Sequence, residues 1–462
     1  KRALLGSVMA MVLCLAMLVG ATFAWFTDTA STGVNKIQAG NLKVALEMKD
    51  AAGQWVPAEG KTLDFVKAAA GEQVLWEPGC TYTLPELRVI NNGNLALKYK
   101  VTITGINGSA KLNEAIEWTI GDVAMGAEQH LKAGESNEFT IKGHMKESAG
   151  NEYMNESIDG IAITVAATQD TVENDSFGNT YDKDAKYPIV AMDTLQELIN
   201  NATEPVSAKL EGNIAGSLTV PQGKDVTLDL NGFTLTGGDS HAILNHGKLC
   251  IKDSSGNGKI VASKANTSAL RNAAVCVIDG GTFTRAAGVD NKWHTVENFG
   301  TMTFNGGKVI AEDGQSFAIV NGWNYIDPGE QKATMTINNI EMKAGPNGFK
   351  NCAGGTLTMN GGTLHCTGFW GLSNDSTGVA TINGGKIISD NYVAISNGGA
   401  KMEINGGTFT GPQGSLYVQN YAHDTVVKGG SYQNETVEFM QYYCADGYTA
   451  TLKGDMVVVS KD

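Results

Sequence analysis

Short Asn-Gly phrases recur at a nearly constant spacing from residue 225 onward, and this feature limits the possible folds more than any other. Phrases such as "TFNGGKVI", "TMNGGTLH" and "EINGGTFT" are most often 22 or 23 residues apart. Two offset series of residues share this period. The first is Asn231, Asn257, Asp279, Asn305, Asn338, Asn360, Asn383, Asn405 and Lys428, and the second is Asn245, Asn272, Asn298, Asn321, Asn351, Asn374, Asn397 and Asn420. Two series with one period indicate a repeat architecture.

Apolar residues keep fixed positions relative to both series: two before the second, and one before and four after the first. Each repeat therefore supplies three short strands, separated by Asn and Gly corners that tolerate positive φ. This pattern predicts a right-handed parallel β-helix of about nine coils. Stacked Asn side chains can hydrogen-bond between coils. We therefore predict a structural Asn ladder at Asn298, Asn321, Asn351, Asn374, Asn397 and Asn420.

The segments around the repeats suggest the remaining domain boundaries. In "MDTLQELINNAT", Leu195, Leu198 and Ile199 fall at helical spacing, which predicts a capping helix over residues 191–203. The β-helix and its C-terminal cap then occupy residues 204–462. Residues 171–190 are polar and acidic, as expected of a linker.

The N-terminal part of the chain alternates apolar and polar residues. In "KYKVTIT", Tyr99, Val101 and Ile103 share one face, which indicates a half-buried strand. Several such runs separated by turns predict an antiparallel, jelly-roll-like β-sandwich over residues 25–170. We expect a helix near residues 112–120 to interrupt it. The complete chain is therefore predicted to be all-β, apart from short helices.

Residues 1–24 have the layout of a secretory signal peptide. Lys1 and Arg2 precede twelve consecutive apolar residues at 8–19, and Thr22 and Ala24 occupy the −3 and −1 positions of a cleavage site. We predict cleavage between Ala24 and Trp25, and hence an extracellular location. A membrane anchor is the alternative, because no charged residue occurs from 3 to 26.

Composition excludes several classes of function. A net charge of −14 disfavours nucleic acid as a partner. No C-x-x-C sequence occurs among the seven cysteines, so zinc and redox motifs are absent from the sequence. We predict buried thiols and no cofactor or metal. Contact with a membrane is expected only through an uncleaved signal.

Two segments carry a resemblance to a known family. They are "TFAWFTDTASTGVNKIQAGNLKVAL" and "PELRVINNGNLALKYKVTITG". They resemble the exit signal and the central hairpin of the TasA/camelysin family, which the SipW-type signal peptidase of Gram-positive bacteria exports. The resemblance covers roughly residues 3–170, and residues 205–435 resemble β-helix repeats of gut Gram-positive surface proteins. Near the signal, the residues that match the TasA/camelysin family are Thr22, Ala24, Trp25, Phe26, Asp28, Asn35, Ile37, Gly40 and Leu42.

The family resemblance implies an extracellular fibre, in which residues 25–46 of one subunit would add a strand to the next subunit. Some relatives are classed as metallopeptidases. His130 and His144 do not lie in an H-E-x-x-H motif, so the sequence does not predict a zinc peptidase.

Functional residues in the repeats admit two interpretations. We expect a secreted adhesin-like or biofilm-matrix protein without catalytic residues; the alternative is a polysaccharide lyase or glycoside hydrolase. The groups considered for such an enzyme form no recognisable D…DD…H pattern. They are Arg271, Arg285, Asp279, Asp290, Glu312, Asp313, Asp327 and Glu330.

Exposed aromatic rings can stack on sugars, although some rings could instead point inward. The candidate glycan contacts are Trp293, Trp323, Tyr325, Phe369, Trp370 and Tyr392, and the insertion at 321–332 is the candidate functional loop.

Overall fold

The computed structural model describes residues 41–61, 63, 65–66, 75–104, 107–108, 112, 115–121, 126–154, 158–159, 162–170, 187–312, 316–323, 332–419 and 424–462. The predicted signal peptide, its cleavage residues Ala24 and Trp25, and residues 171–186 of the predicted linker lie outside the described residues. So does most of the expected donor segment, residues 25–40.

The N-terminal region consists of short antiparallel strands, as the alternation predicts. They form the sheets β2-β1-β4-β9, β3-β10-β7, β12-β5-β8 and β11-β6 around a core that includes Leu87, Leu97 and Tyr99. Within the donor segment, Val44 and Leu46 pair with β4 of their own chain. The strands are β1 Val44–Lys49, β2 Trp55–Pro57, β3 Thr81–Thr83, β4 Leu87–Asn91, β5 Leu97–Thr104, β6 Asn107–Gly108, β7 Ile116–Ile120, β8 Gln129–Leu131, β9 Ser136–Phe139, β10 Ile141–Met145, β11 Ile158–Asp159 and β12 Ala162–Gln169, with a 3-10 turn at Asn151–Tyr153.

The prediction of a helix near residues 112–120 is wrong for residues 116–120. Ile116–Ile120 is strand β7, which pairs with β10. Ile116 and Ile120 are buried, whereas Glu117 and Thr119 are exposed. This period of two suits a strand with one buried face, and pairing with β10 satisfies its backbone.

The repeat region forms a parallel β-solenoid of nine complete coils and a partial tenth. Helix α1 (Met192–Asn201) precedes it, and helix α2 (Val437–Tyr443) with the hairpin β42–β43 follows it. The strands are β13 Val206–Lys209, β14 Ile214–Ala215, β15 Leu218–Val220, β16 Asp225–Asp229, β17 Thr234–Thr236, β18 Ile243–Asn245, β19 Lys248–Lys252, β20 Lys259–Ala262, β21 Leu270–Asn272, β22 Val275–Ile278, β23 Thr282–Arg285, β24 Val296–Asn298, β25 Thr301–Phe304, β26 Lys308–Ala311, β27 Phe317–Asn321, β28 Ala333–Ile337, β29 Glu341–Ala344, β30 Asn347–Asn351, β31 Gly355–Met359, β32 Thr363–Cys366, β33 Leu372–Asp375, β34 Val379–Ile382, β35 Lys386–Ser389, β36 Ile395–Gly398, β37 Lys401–Ile404, β38 Thr408–Thr410, β39 Leu416–Val418, β40 Thr425–Val427, β41 Gly430–Gln433, β42 Tyr448–Lys453 and β43 Met456–Lys461.

Every third strand joins the same sheet, so the solenoid has three parallel sheets. The first sheet runs from β13 to β40, the second from β14 to β41, and the third from β15 to β39. Strands β43 and β42 extend the second sheet in antiparallel fashion. Inward residues of all three sheets form one continuous apolar core.

The inward column of the third sheet confirms the predicted stacking, except in its last coil. Ile319, Phe349, Leu372 and Ile395 occupy successive positions in one register and are fully buried. The sequence spacing places Val418 next in this column, but Leu416 pairs with Ile395. That prediction is wrong because this coil is two residues shorter than its neighbours, which moves the register.

The second Asn series forms a buried side-chain ladder. Each Nδ2 donates to the Oδ1 of the next coil at 2.7–2.8 Å, and every member is fully buried. The observed members are Asn245, Asn272, Asn298, Asn321, Asn351, Asn374 and Asn397. The ladder ends where Asn397 donates to Thr425 Oγ1, and the register places Val418 beside Asn397. Asn420, the predicted next member, lies outside the described residues.

The first series forms an exposed ladder with the opposite polarity. Here each amide donates to the preceding coil at 2.8 Å, from Asn405 down to Asp279. A carboxylate can only accept, so Asp279 suits the final acceptor position. Asn231 and Asn257 are wrongly included in this series. Ile251 pairs with Ile278, which places Lys252 beside Asp279, because the turn after β19 shifts the spacing.

The solenoid begins slightly before the predicted boundary. Ile189 is buried and bridges to Leu210 in parallel, so it lies in the fold and not in a linker. The predicted capping helix is confirmed as α1, which buries Met192, Leu195 and Ile199. Gln196 satisfies the edge strand β15 by accepting from the backbone N–H of Thr219 and donating to its carbonyl, at 2.9 and 2.8 Å. Such a cap protects an otherwise open sheet edge.

The cysteines of the described residues are free thiols. Cys276, Cys352 and Cys366 are buried, as predicted, whereas Cys80, Cys250 and Cys444 are partly exposed. Burial raises the pKa of the Cys366 thiol to about 11, which keeps it protonated and unreactive near neutral pH.

Replacing a buried ladder residue should destabilise the solenoid far more than replacing an exposed one. Asn351 donates to Asn374 and Val379 and accepts from Asn321. Asn351→Ala would remove all three bonds and leave Asn374 Oδ1 buried without this donor, so we expect a loss of at least about 3 kcal/mol in unfolding free energy. Asn360→Ala, in the exposed ladder, should cost about 1 kcal/mol or less. Guanidinium denaturation midpoints measure both, and equal shifts would contradict the distinction.

Candidate functional site: an aromatic corner beside the third sheet

Four of the candidate aromatic residues, Trp293, Phe369, Trp370 and Tyr392, share one corner of the solenoid. Trp293, Phe369 and Tyr392 each precede by three residues the inward residue of a third-sheet strand. They therefore lie where the second sheet turns into the third. Phe369 and Tyr392 belong to consecutive coils, and Trp293 lies three coils before Phe369, about 14 Å away along the axis.

Phe369, Trp370 and Tyr392 form one aromatic cluster at this corner. Their ring centroids are 5.7–5.9 Å apart, in tilted and edge-to-face arrangements. Phe369 is 51% exposed, and Trp370 and Tyr392 are half-buried. The buried Ser389 fixes both loops, because its hydroxyl donates to the carbonyl of Phe369 and accepts from the backbone N–H of Tyr392. The cluster is therefore a fixed aromatic surface in which the ring of Phe369 is exposed to solvent.

The other predicted contact residues lie apart from this cluster. Trp293 packs beside His294, with centroids 5.4 Å apart, and its carbonyl accepts from Arg285. Trp323 follows the opposite end of a third-sheet strand, where it packs on Phe299 at 4.6 Å. Tyr325 lies outside the described residues, with most of the insertion that we considered a functional loop.

A buried polar cluster that the sequence analysis missed lies on the third sheet. Glu297 is only 1% exposed, and its Oε2 accepts from Ser268 Oγ at 2.6 Å. Arg271 Nη1 and His241 Nδ1 lie 3.7 and 3.8 Å from the same oxygen. Burial raises the pKa of Glu297 and lowers the pKa of His241 to about 4. The sequence signal for this cluster was the alignment of Arg271 with Glu297 on neighbouring strands. Both positions face outward, so their opposite charges come together on one surface of the sheet.

A buried histidine, His294, lies beside the aromatic corner. His294 Nδ1 is 2.8 Å from Ser316 Oγ, and burial, reinforced by the charge of Arg285, lowers the pKa of His294 to about 4. Both imidazoles therefore remain neutral in the folded protein near pH 7.

The acids and bases considered for catalysis are distributed over separate places. Arg271 lies beside Glu297 on the third sheet, whereas Asp279 ends the exposed Asn ladder after the first sheet. Asp290 pairs with Lys292 at 3.2 Å in the loop before β24. Glu312 is an exposed turn residue; Asp313, Asp327 and Glu330 lie outside the described residues. Among the residues that the structure describes, no group of three His, Cys, Asp or Glu could hold a metal ion.

Comparison with known proteins finds no matching family model, no similar curated protein and no similar solved structure. In the described part of the chain, no helix has the length and apolar character needed to cross a membrane.

Acid should destabilise the fold through His241 and His294. An unfolded histidine takes up a proton near pH 6.5, whereas His241 and His294 do so only near pH 4. Their contribution to stability is therefore present above pH 6.5 and falls as the pH drops toward 4, by on the order of 2 kcal/mol per histidine. Glu297 acts in the opposite sense, because its raised pKa favours the folded state as pH falls.

Denaturation midpoints at pH 7 and 4.5 measure this dependence. His294→Gln removes one titrating group and should reduce the difference between the two pH values. The exposed His246 supplies the matched control, His246→Gln, which should leave the difference unchanged. An unaltered difference in His294→Gln would contradict the assignment.

Proposed function

We propose that this chain is an extracellular binding and scaffolding protein, whose solenoid holds a carbohydrate-contact surface in a fixed position and catalyses no reaction. The observation that carries the proposal is the aromatic cluster of Phe369, Trp370 and Tyr392. Export, placement at a Gram-positive cell surface or biofilm matrix, and retention there belong to the same proposal. They rest on the signal-like N-terminus and the family resemblance.

The physical support for carbohydrate contact is a combination of ring exposure and rigidity. Sugar rings present apolar C–H faces that pack on aromatic rings. Here the rings sit on hydrogen-bonded corners of adjacent coils, so binding would order few additional side chains. On the third sheet, Lys350 is already paired with Asp375 at 3.3 Å. This pairing of opposite charges favours a neutral sugar over a charged one.

Assembly into a homopolymer is a further part of the proposal. In it, residues 25–43, the part of the predicted donor segment 25–46 that precedes β1, would pair with an exposed strand edge of the next subunit. The N-terminal four-stranded sheet ends in β2 on one side and β9 on the other, and either strand could accept an added strand.

A carbohydrate-active enzyme is the second candidate, and Glu297 is the observation that favours it. A buried carboxyl with a raised pKa has the character of a general acid. Its 1% exposure and its short bond from Ser268 speak against access by a glycosidic oxygen. We therefore assign Glu297 a structural role beside Arg271.

The aromatic proposal predicts a selective loss of glycan binding. On a glycan array, the full chain should bind at least one neutral oligosaccharide, and Phe369→Ala/Tyr392→Ala should weaken that binding at least about tenfold, or about 1.4 kcal/mol. Tyr442 is 81% exposed on α2, so Tyr442→Ala is a matched control and should bind normally. Unchanged binding in the double variant would contradict the assigned surface.

Incubation with plant and host polysaccharides separates the two candidate functions. The binding proposal predicts no new reducing ends and no unsaturated products, as measured by reducing-sugar assay and ultraviolet absorbance. Product formation that Glu297→Gln abolishes would establish the enzyme alternative instead.

A further inference from the structure

A shallow groove follows the corner between the first and second sheets, away from the aromatic corner. Its volume is about 520 Å³, and residues of five consecutive coils line it. Since coils stack about 4.8 Å apart, the groove is about 20 Å long and runs parallel to the solenoid axis. A ligand that fills it must therefore be elongated.

Glycine keeps the floor of this groove open. Gly281, Gly307 and Gly362 line the groove and have φ values of 88°, 94° and 89°, which other residues adopt only with strain. In the coil of β28 and β29, Ile340 is buried, while Asn339 is exposed and lines the groove. Among the lining residues, Asn339 carries the one amide side chain.

The exposed Asn ladder borders the groove. Asn305 and Asn360 each lie two residues before a lining glycine, and Asn338 lies directly before Asn339. Within the ladder, each amide uses one N–H and one oxygen lone pair for its neighbours at 2.8 Å. An amide group has a second N–H and a second lone pair. Because the ladder fixes the amides, they offer a pre-oriented row of donors and acceptors, one per coil.

Charge disfavours nucleic acid as the ligand of this groove, and backbone hydrogen bonding disfavours an added peptide strand. Lys308 and Glu341 on its second-sheet side pair with each other at 2.8 Å. A chain with net charge −14 and no unpaired cation in this pair is poorly suited to nucleic acid. An added peptide strand needs a free sheet edge, but the corner backbone already bonds between coils, as from Lys308 N to Gly281 O.

We propose that this groove binds one chain of a neutral linear polysaccharide, aligned with the solenoid axis. A polymer of hydroxyl-bearing sugars matches the elongated shape and the periodic amide groups. It also matches the charges of the lining, because Lys308 is paired with Glu341 and Asp253 accepts from backbone N–H groups. The inference goes beyond the aromatic corner, because it assigns a second carbohydrate surface with a polymer ligand. Together the two surfaces would let one molecule hold two glycans.

Co-sedimentation of the full chain with microcrystalline cellulose and with crystalline chitin, and affinity electrophoresis in hydroxyethyl cellulose, test this proposal. We expect retention by at least one of these polymers. Asn339→Arg/Thr363→Arg should reduce retention at least tenfold, because the long side chains would occupy the groove. Thr451 and Leu452 are exposed on β42, and Thr451→Arg/Leu452→Arg supplies a control of equal added charge that should bind normally. Circular dichroism and the denaturation midpoint establish that each variant folds.

Two results would overturn the inference. One is no retention of the wild-type chain by any of the three polymers, and the other is unchanged retention of Asn339→Arg/Thr363→Arg. If Phe369→Ala/Tyr392→Ala loses polymer binding while the groove variant keeps it, the aromatic proposal stands and the groove proposal fails. If the groove variant alone loses it, the groove is supported independently of the aromatic corner.

Discussion

The hydrogen-bonded stacking of identical side chains on successive coils is the interaction on which the solenoid depends. The Asn ladder is fully buried, and each amide contacts the amides above and below it. A polar group buried without a partner is costly, so a coil that slipped by one residue would lose several of these bonds at once. The ladder therefore fixes register as well as stability, and the apolar columns can pack only in that register.

The two ladders have opposite hydrogen-bond directions, and each is completed at its ends by a different residue type. The buried ladder donates toward the C-terminus and finishes on Thr425, while the exposed ladder donates toward the N-terminus and finishes on Asp279. Gln196 performs the corresponding task for the backbone of the first edge strand. Thr425 and Gln196 thus satisfy groups at the two ends of the repetitive interior, while Asp279 ends the exposed ladder.

The repeat period was sufficient to predict the coils, and it placed all seven observed buried Asn positions, from Asn245 to Asn397, in one series. The helical spacing of apolar residues predicted the capping helix. The repeat period failed where a coil changes length, since equal spacing cannot indicate that Leu416 replaces Val418 in the column or that Lys252 lies beside Asp279. The aromatic positions were predictable, but their grouping was not, because it depends on which corner each loop reaches. Glu297 was missed because outward positions of a sheet are normally solvated, and here neighbouring side chains enclose it.

Both proposed carbohydrate surfaces need a rigid repeat scaffold, and the central claim is that the buried Asn ladder makes the coils one cooperative unit. Hydrogen exchange followed by mass spectrometry of wild type and Asn351→Ala tests this most directly. The account predicts that the substitution lowers protection in β27 and β33 as well as in its own strand β30, since Asn351 bonds to both neighbouring coils. Protection lost in β30 alone, with β27 and β33 unchanged, would contradict it.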